Sequence, residues 1–222
     1  MKILDIPQSG KRGLTVSQGG RYGQISRAWV IPNNPRTVAQ MGVRRALGNV
    51  TARWRTLTEE ERNAWRAAAQ AKNTVPRLGQ SGPLTGSQLF TKINCSLATL
   101  GLEQVDAPPS FPEFPENPVG ALVITNTGGV ISLKLACPGT PGTNTTLRAA
   151  APCSQGLASN DGYRVLGVLP APAQGSCDIT NLYTARYGSP AVGTKVFVRV
   201  NQNIDGWEDV PVETAAIVPS AS

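Results

Sequence analysis

Apolar residues recur at helical spacing through the first half of the chain and alternate in short runs through the second. Val43, Leu47, Val50, Trp54 and Leu57 follow one another at steps of four and three, which places them on one face of a helix. Asn33-Asn34-Pro35 makes a turn ahead of it, and Thr37 with Gln40 three residues on fits a capping box. Thr58 with Glu61 is a second box, and Glu59, Glu60 and Glu61 suit the positive end of a helix dipole. That second helix is expected to turn Ala64, Trp65, Ala68 and Ala69 inward and Arg62, Arg66 and Lys72 outward. Thr85 with Gln88 opens a third, carrying Leu89, Phe90, Ile93, Leu97 and Leu100 on one side, with Gly101 at the site of a left-handed cap. Three capped helices with apolar stripes predict a small helical bundle over residues 32–105.

The flanking pattern differs. Residues 1–31 interleave Gly10, Gly13, Gly19, Gly20 and Gly23 with Lys11, Arg12, Arg21 and Arg27 and show no helical period, which predicts an extended basic arm that orders against a partner. Residues 106–118 hold five prolines and predict a semi-rigid linker, with Phe111 and Phe114 free to dock on either side of it. From 119 to 222 short apolar runs alternate with turns. Val119–Thr125 and Val130–Ala136 flank Asn126-Thr127-Gly128-Gly129, a hairpin signal. Further runs lie at Thr145–Ala151, Tyr163–Leu169, Cys177–Tyr183, Thr194–Asn201 and Val212–Val218, and seven strands in that length predict an antiparallel β-sandwich. Within Thr194–Asn201, Val196, Val198 and Val200 are expected to face the core, with Lys195, Phe197 and Arg199 opposite. The expected fold is thus α+β in two domains, a helical bundle with a basic arm and a β-sandwich.

Charge sharpens that division. Residues 1–105 hold 15 Lys/Arg and 5 Asp/Glu, a net of +10, and residues 106–222 hold 6 and 9, a net of −3, which together give the chain's +7. The basic half is suited to an anionic partner: nucleic acid, an acidic protein face or a membrane surface. No apolar run is long enough to span a bilayer. Met1–Gly13 lacks the apolar stretch of a signal peptide, so the expectation is a chain made in the host cytoplasm that leaves it only inside a released assembly.

Catalytic chemistry finds little support. The chain has no His, the commonest general base and metal ligand. Gly10-Lys11-Arg12 lacks the spacing of a phosphate-cradling loop, and Asp205, Glu208 and Asp209 read as a solvated or weakly cation-binding turn rather than a catalytic one. Cys95, Cys137, Cys153 and Cys177 form no CxxC pair; they read as reduced thiols, with a bridge among the last three left open. A non-enzymatic protein with no cofactor, no metal and no small-molecule substrate is expected. Arg44, Arg45, Arg53 and Arg55 lie largely off the apolar stripe; phosphate contacts, intersubunit salt bridges and plain solvation all remain open for them.

Three resemblances add to this. Pro32–Pro35, then Trp54-Arg55-Thr56-Leu57-Thr58-Glu59-Glu60-Glu61 and Trp65, weakly resemble the HMG box, which would imply minor-groove binding by residues 32–72. Gly193-Thr194-Lys195-Val196-Phe197-Val198-Arg199-Val200 followed by Asp205-Gly206-Trp207 is similar to the penultimate strand and following turn of fibronectin type III and other immunoglobulin-like modules. The whole layout resembles bacteriophage virion structural proteins in organisation. It implies a capsid-associated, decoration or minor virion protein, multi-copy or homo-oligomeric among other virion subunits. Its basic half would anchor it through Lys11, Arg12, Arg21, Arg27, Arg44, Arg45, Arg53 and Arg55, and its sandwich would project. A nucleic-acid-binding protein using the Arg-rich half and a surface adhesion module are the alternatives.

Overall fold

The computed structural model describes residues 8–20, 23–74, 81–142 and 144–221. The chain is α+β, with four helices and several antiparallel sheets among these residues. It divides into two compact units, Met1–Lys92 with Asp106–Pro108, and Ile93–Val105 with Pro109–Ser222. The chain passes from one unit to the other three times: inside a helix after Lys92, after Val105, and inside the proline-rich segment after Pro108.

The first unit opens with strands β1 (Gly10–Arg12), β2 (Thr15–Gly20) and β3 (Gly23–Ala28), an antiparallel meander in sequence order. The glycine-rich stretch is therefore not an extended arm. Its backbone groups pair within the meander, Lys11 opposite Val16 and Val16 opposite Arg27, so strand hydrogen bonds supply the order that side-chain burial does not. Helix α1 (Val38–Thr56) follows, capped by the Thr37 hydroxyl, which accepts from the Gln40 backbone N–H at 3.3 Å. Gln40 Oε1 has no hydrogen-bond partner, so this box is half made. Helix α2 (Glu59–Gln70) carries the full reciprocal box between Thr58 and Glu61. Helix α3 (Gly86–Thr99) opens on another, with Thr85 and Gln88 exchanging both bonds. It ends as expected in a Schellman pattern, where Leu102 N–H reaches Leu97 O at 3.0 Å and Gly101 N–H reaches Ala98 O at 3.2 Å.

On α2, Trp65 and Ala69 are buried as expected, while Ala64 is exposed. Arg62 does not point out to solvent alone. Its guanidinium donates to the carbonyls of Trp54 (3.4 Å) and Arg55 (2.8 Å), satisfying orphan acceptors at the end of α1.

The second unit holds a three-stranded sheet, β4 (Leu122–Thr127), β5 (Val130–Ala136) and β8 (Ser176–Asp178), in the order β4-β5-β8. A four-stranded sheet runs in the order β12-β9-β6-β7, from β6 (Thr146–Ala149), β7 (Arg164–Val168), β9 (Lys195–Asn201) and β12 (Val212–Ile217). Both sheets feed one core, to which β4 and β5 give Leu122, Ile124, Leu133 and Leu135 and β9 gives Val196, Val198 and Val200. The β4–β5 hairpin closes through Gly128-Gly129, both at positive φ, as the sequence implied.

Where a strand was expected over Cys177–Tyr183, the chain instead leaves β8 after Asp178 and forms helix α4 (Thr180–Tyr187). The Asp178 carboxylate accepts from Thr180 N–H at 2.9 Å and turns the chain; this bonding, led by the Thr180 hydroxyl, holds the Asp178 carboxyl below its ordinary range. Tyr183 and Tyr187 on α4 donate to the carbonyls of Ala150 (3.2 Å) and Ala149 (3.0 Å). All four thiols are free. Cys137 and Cys177 lie in the core, where burial raises the Cys177 thiol and the neighbouring Cys137 raises it further.

A short hairpin, β10 (Asn203–Ile204) and β11 (Trp207–Glu208), closes this unit against its own first residues. Phe111 stacks edge-on against Trp207 at 5.2 Å, Trp207 Nε1–H reaches Pro109 O at 3.3 Å, and the Gln202 amide donates to Pro115 O at 2.8 Å. Glu208 is not a solvated turn residue: it pairs with Arg148 at 2.6 Å. Gly206 sits at φ +85, and a Cβ there would lie 2.6 Å from Ile93 Cγ2 and 2.9 Å from Ile93 O. Gly206→Ala combines a left-handed backbone penalty with overpacking, so we expect it to destabilise this unit by about 2–4 kcal/mol. Gly193→Ala, at φ +78 with nothing within 4 Å, should cost only the backbone part, and denaturant unfolding of the two variants would separate the contributions.

Candidate functional site

The most distinctive surface lies in the first unit, and it starts from a property of the sequence: residues 6–58 contain nine Lys/Arg and no Asp or Glu. The meander sets Lys11, Val16 and Arg27 in one cross-strand row, so Lys11 and Arg27 share a face, while Arg12 opposes Thr15 in the adjacent row. Lys11 Nζ rests 3.3 Å from the centre of the Trp29 ring, a cation–π contact at the end of β3. Arg12 and Arg27 are exposed, and Arg21 lies outside the described residues.

Along α1 the arginines do not form one patch. At 100° per residue Arg44 and Arg55 point the same way but lie about 16 Å apart along the axis, while Arg45 and Arg53 point elsewhere. Arg44 Nη1 donates to the Asn34 side-chain oxygen at 2.8 Å. Arg53 grips Asp106 with two bonds, Nε–Oδ1 at 2.6 Å and Nη2–Oδ2 at 2.7 Å, and its hydrogen bond holds the Asp106 carboxyl below the ordinary carboxylate range. Arg45 and Arg55 are exposed.

Periodicity alone did not reveal where the apolar stripe of α1 is covered. Its C-terminal half is: Val50 is fully buried, Leu57 is buried, and the Trp54 ring sits 5.3 Å from Phe90. Its N-terminal half is not, with Val43 72% and Leu47 45% exposed. Among the described residues, eight large exposed apolar side chains fall between Leu14 and Leu47, including Trp29, Val30, Ile31, Val38 and Met41; nine others are spread over the rest of the chain. Along the sequence this is the densest run of exposed apolar side chains among the described residues. Hydrophobic periodicity marks the α1 portion as apolar and carries no signal of where its cover ends.

The Trp54–Glu61 segment has structural duties: Trp54 and Leu57 pack, and Thr58 with Glu61 caps α2. The concavities are less informative. One of about 660 Å³ is lined by Trp54, Arg66 and the start of α3, but Arg66 is already held by Glu59 and Asn63. Another of about 540 Å³ lies between β7 and α4. Among the described residues no group of three or more Cys, Asp or Glu could hold a metal ion, and no helix is long and apolar enough to cross a membrane. Comparison with protein-family models, with curated proteins and with solved structures finds no match to this chain.

Two measurements test this account of the first unit. Trp65→Ala should destabilise it by about 3–5 kcal/mol and Leu57→Ala by about 2–5, whereas Leu47→Ala on the same stripe should stay within about 1 kcal/mol. The Arg53–Asp106 pair is roughly 40% exposed on each side, so it should contribute no more than about 1 kcal/mol. Because the folded Asp106 carboxyl titrates below its unfolded value, that contribution is complete above about pH 4 and lost as pH falls through the folded value. The stability gap between wild type and Arg53→Met should accordingly be present at neutral pH and vanish in acid.

Proposed function

We propose that this chain is a structural subunit of a phage-like particle, anchored through its basic first unit and carrying the second as an immunoglobulin-like module. The observation that carries the reading is the concentration of eight large exposed apolar side chains, among the described residues, between Leu14 and Leu47, in a stretch that has nine cations and no anion. An isolated soluble protein gains nothing from such a surface; a subunit that buries it on assembly does. Duplex DNA would meet the cations but leave the apolar side chains in water, which favours a protein partner over the nucleic-acid alternative.

Strand order supports the immunoglobulin-like part. Lettering the strands A (β4), B (β5), C (β6), C′ (β7), E (β8), F (β9) and G (β12) gives sheets A-B-E and G-F-C-C′, the partition expected of that architecture. Val196 stands near the start of F, where such modules carry the corner tyrosine. Here α4 lies in the E–F connection, and its Tyr183 and Tyr187 make hydrogen bonds to the end of C instead. Resemblance of this kind gives the module an architecture and leaves its ligand unassigned.

Gradient fractionation of the chain from its native host tests the proposal. The full chain should travel with a large particle in multiple copies, resist release by nuclease, and lose incorporation when residues 1–31 are deleted. A chain that stays at the top of the gradient, or leaves the particle on nuclease treatment, would overturn it.

A further inference from the structure

The stripe on α1 specifies what should cover it. Val43, Leu47, Val50, Trp54 and Leu57 alternate at steps of four and three, the spacing of a seam that packs against another helix. In the covered half the seam meets α3: Trp54 packs on Phe90, whose ring in turn lies 5.2 Å from Trp65 of α2. Arg53, which flanks that half, is met by a carboxylate, Asp106. In the uncovered half Val43 and Leu47 continue the same seam, and Arg44, which flanks it, meets the neutral Asn34 amide oxygen and no carboxylate among the described residues. The two halves differ in two respects: among the described residues the second has neither an apolar lid nor an acid.

We propose that the N-terminal half of α1 is the docking seam for an acidic amphipathic helix of a different protein, with Val43 and Leu47 as apolar contacts and Arg44 as the ionic one. The inference rests on the reading of this unit as an anchor and names its partner's chemistry. A second copy of the same helix fits poorly, because α1 has no acidic residue and two copies would oppose like charges. A polyanion without an apolar face would satisfy Arg44 and leave the seam in water. An acidic helix with leucines at its own seam positions answers both, and it would also supply the packing that helps a helix hold its form where its own domain gives none.

The test uses the full-length chain and labelled three-heptad peptides in fluorescence anisotropy. The first peptide has Leu at the seam and Glu at the flanks; one control exchanges Glu for Lys, another exchanges Leu for Ser. Short duplex DNA serves as competitor. The Leu/Glu peptide should bind at physiological salt, with both control peptides and the duplex at least about tenfold weaker. Val43→Ser with Leu47→Ser should weaken it by about tenfold or more without changing helix content by circular dichroism. Arg44→Glu should lose the Leu/Glu peptide and gain the Leu/Lys one, a reversal that misfolding cannot produce. Failure of the Leu/Glu peptide to bind, equal binding of either control, displacement by duplex DNA, or a dimer of the chain itself that Val43→Ser dissolves would each overturn the proposal. Presence in a particle is read separately by the gradient, so loss of either conclusion is distinguishable from loss of the other.

Discussion

Trp65 is the point on which the first unit depends. Its side chain is fully buried, its ring meets Phe90 of α3 edge-on, and its indole N–H donates to the backbone carbonyl of Asp106 at 2.6 Å. The carboxylate of that same Asp106 grips Arg53 on α1. One aromatic residue on α2 thus ties together the other two helices and the chain segment that returns after them. The bond to Asp106 matters because an indole N–H buried without an acceptor would carry the full cost of its lost water. Burial of the ring and satisfaction of its polar edge therefore require the same arrangement, which is why a short bundle can be well determined with few core residues.

The second unit is closed by a different device. Its two sheets share a core, and a β-structure of this kind must cover its open side. Helix α4 does so in place of a further strand, with Tyr183 filling core volume while its hydroxyl reaches the carbonyl that follows β6. At the other end the β10–β11 turn approaches Ile93 so closely that only a residue without Cβ fits, and Trp207 beside it holds Phe111 and the Pro109 carbonyl. The proline-rich segment from Pro109 onward is fixed by these contacts, so its stiffness and its docking act together.

Helix ends were legible because capping is local: Thr58 with Glu61 and Thr85 with Gln88 need only three residues of separation to declare themselves. The Gly128-Gly129 turn was legible for the same reason. The meander was not, because glycines interrupt the alternation of Val16, Gln18, Ile25 and Arg27, and its order comes from backbone pairing that leaves little trace in side-chain pattern. Helix α4 was hidden because it begins two residues after a true strand and its apolar positions, Leu182 and Tyr183 with Tyr187, also suit a strand. Of the cationic residues, sequence grouped the basic stretch but had no means of separating Arg53, committed to Asp106, from Arg45 and Arg55, which are exposed.

The apolar stripe of α1 shows most directly what periodicity contains. Spacing reports that a face is apolar; it does not report whether the same chain covers it. The C-terminal part of this 19-residue helix meets Phe90 of α3 through Trp54, and the uncovered part keeps the spacing of the covered part. Were Val43 and Leu47 only incidental surface residues, nothing would hold them in register with Val50, Trp54 and Leu57 across the point where cover ends. Continuity of the pattern past the limit of the fold is what sets Val43 and Leu47 apart from a single exposed apolar residue, ordinary by itself.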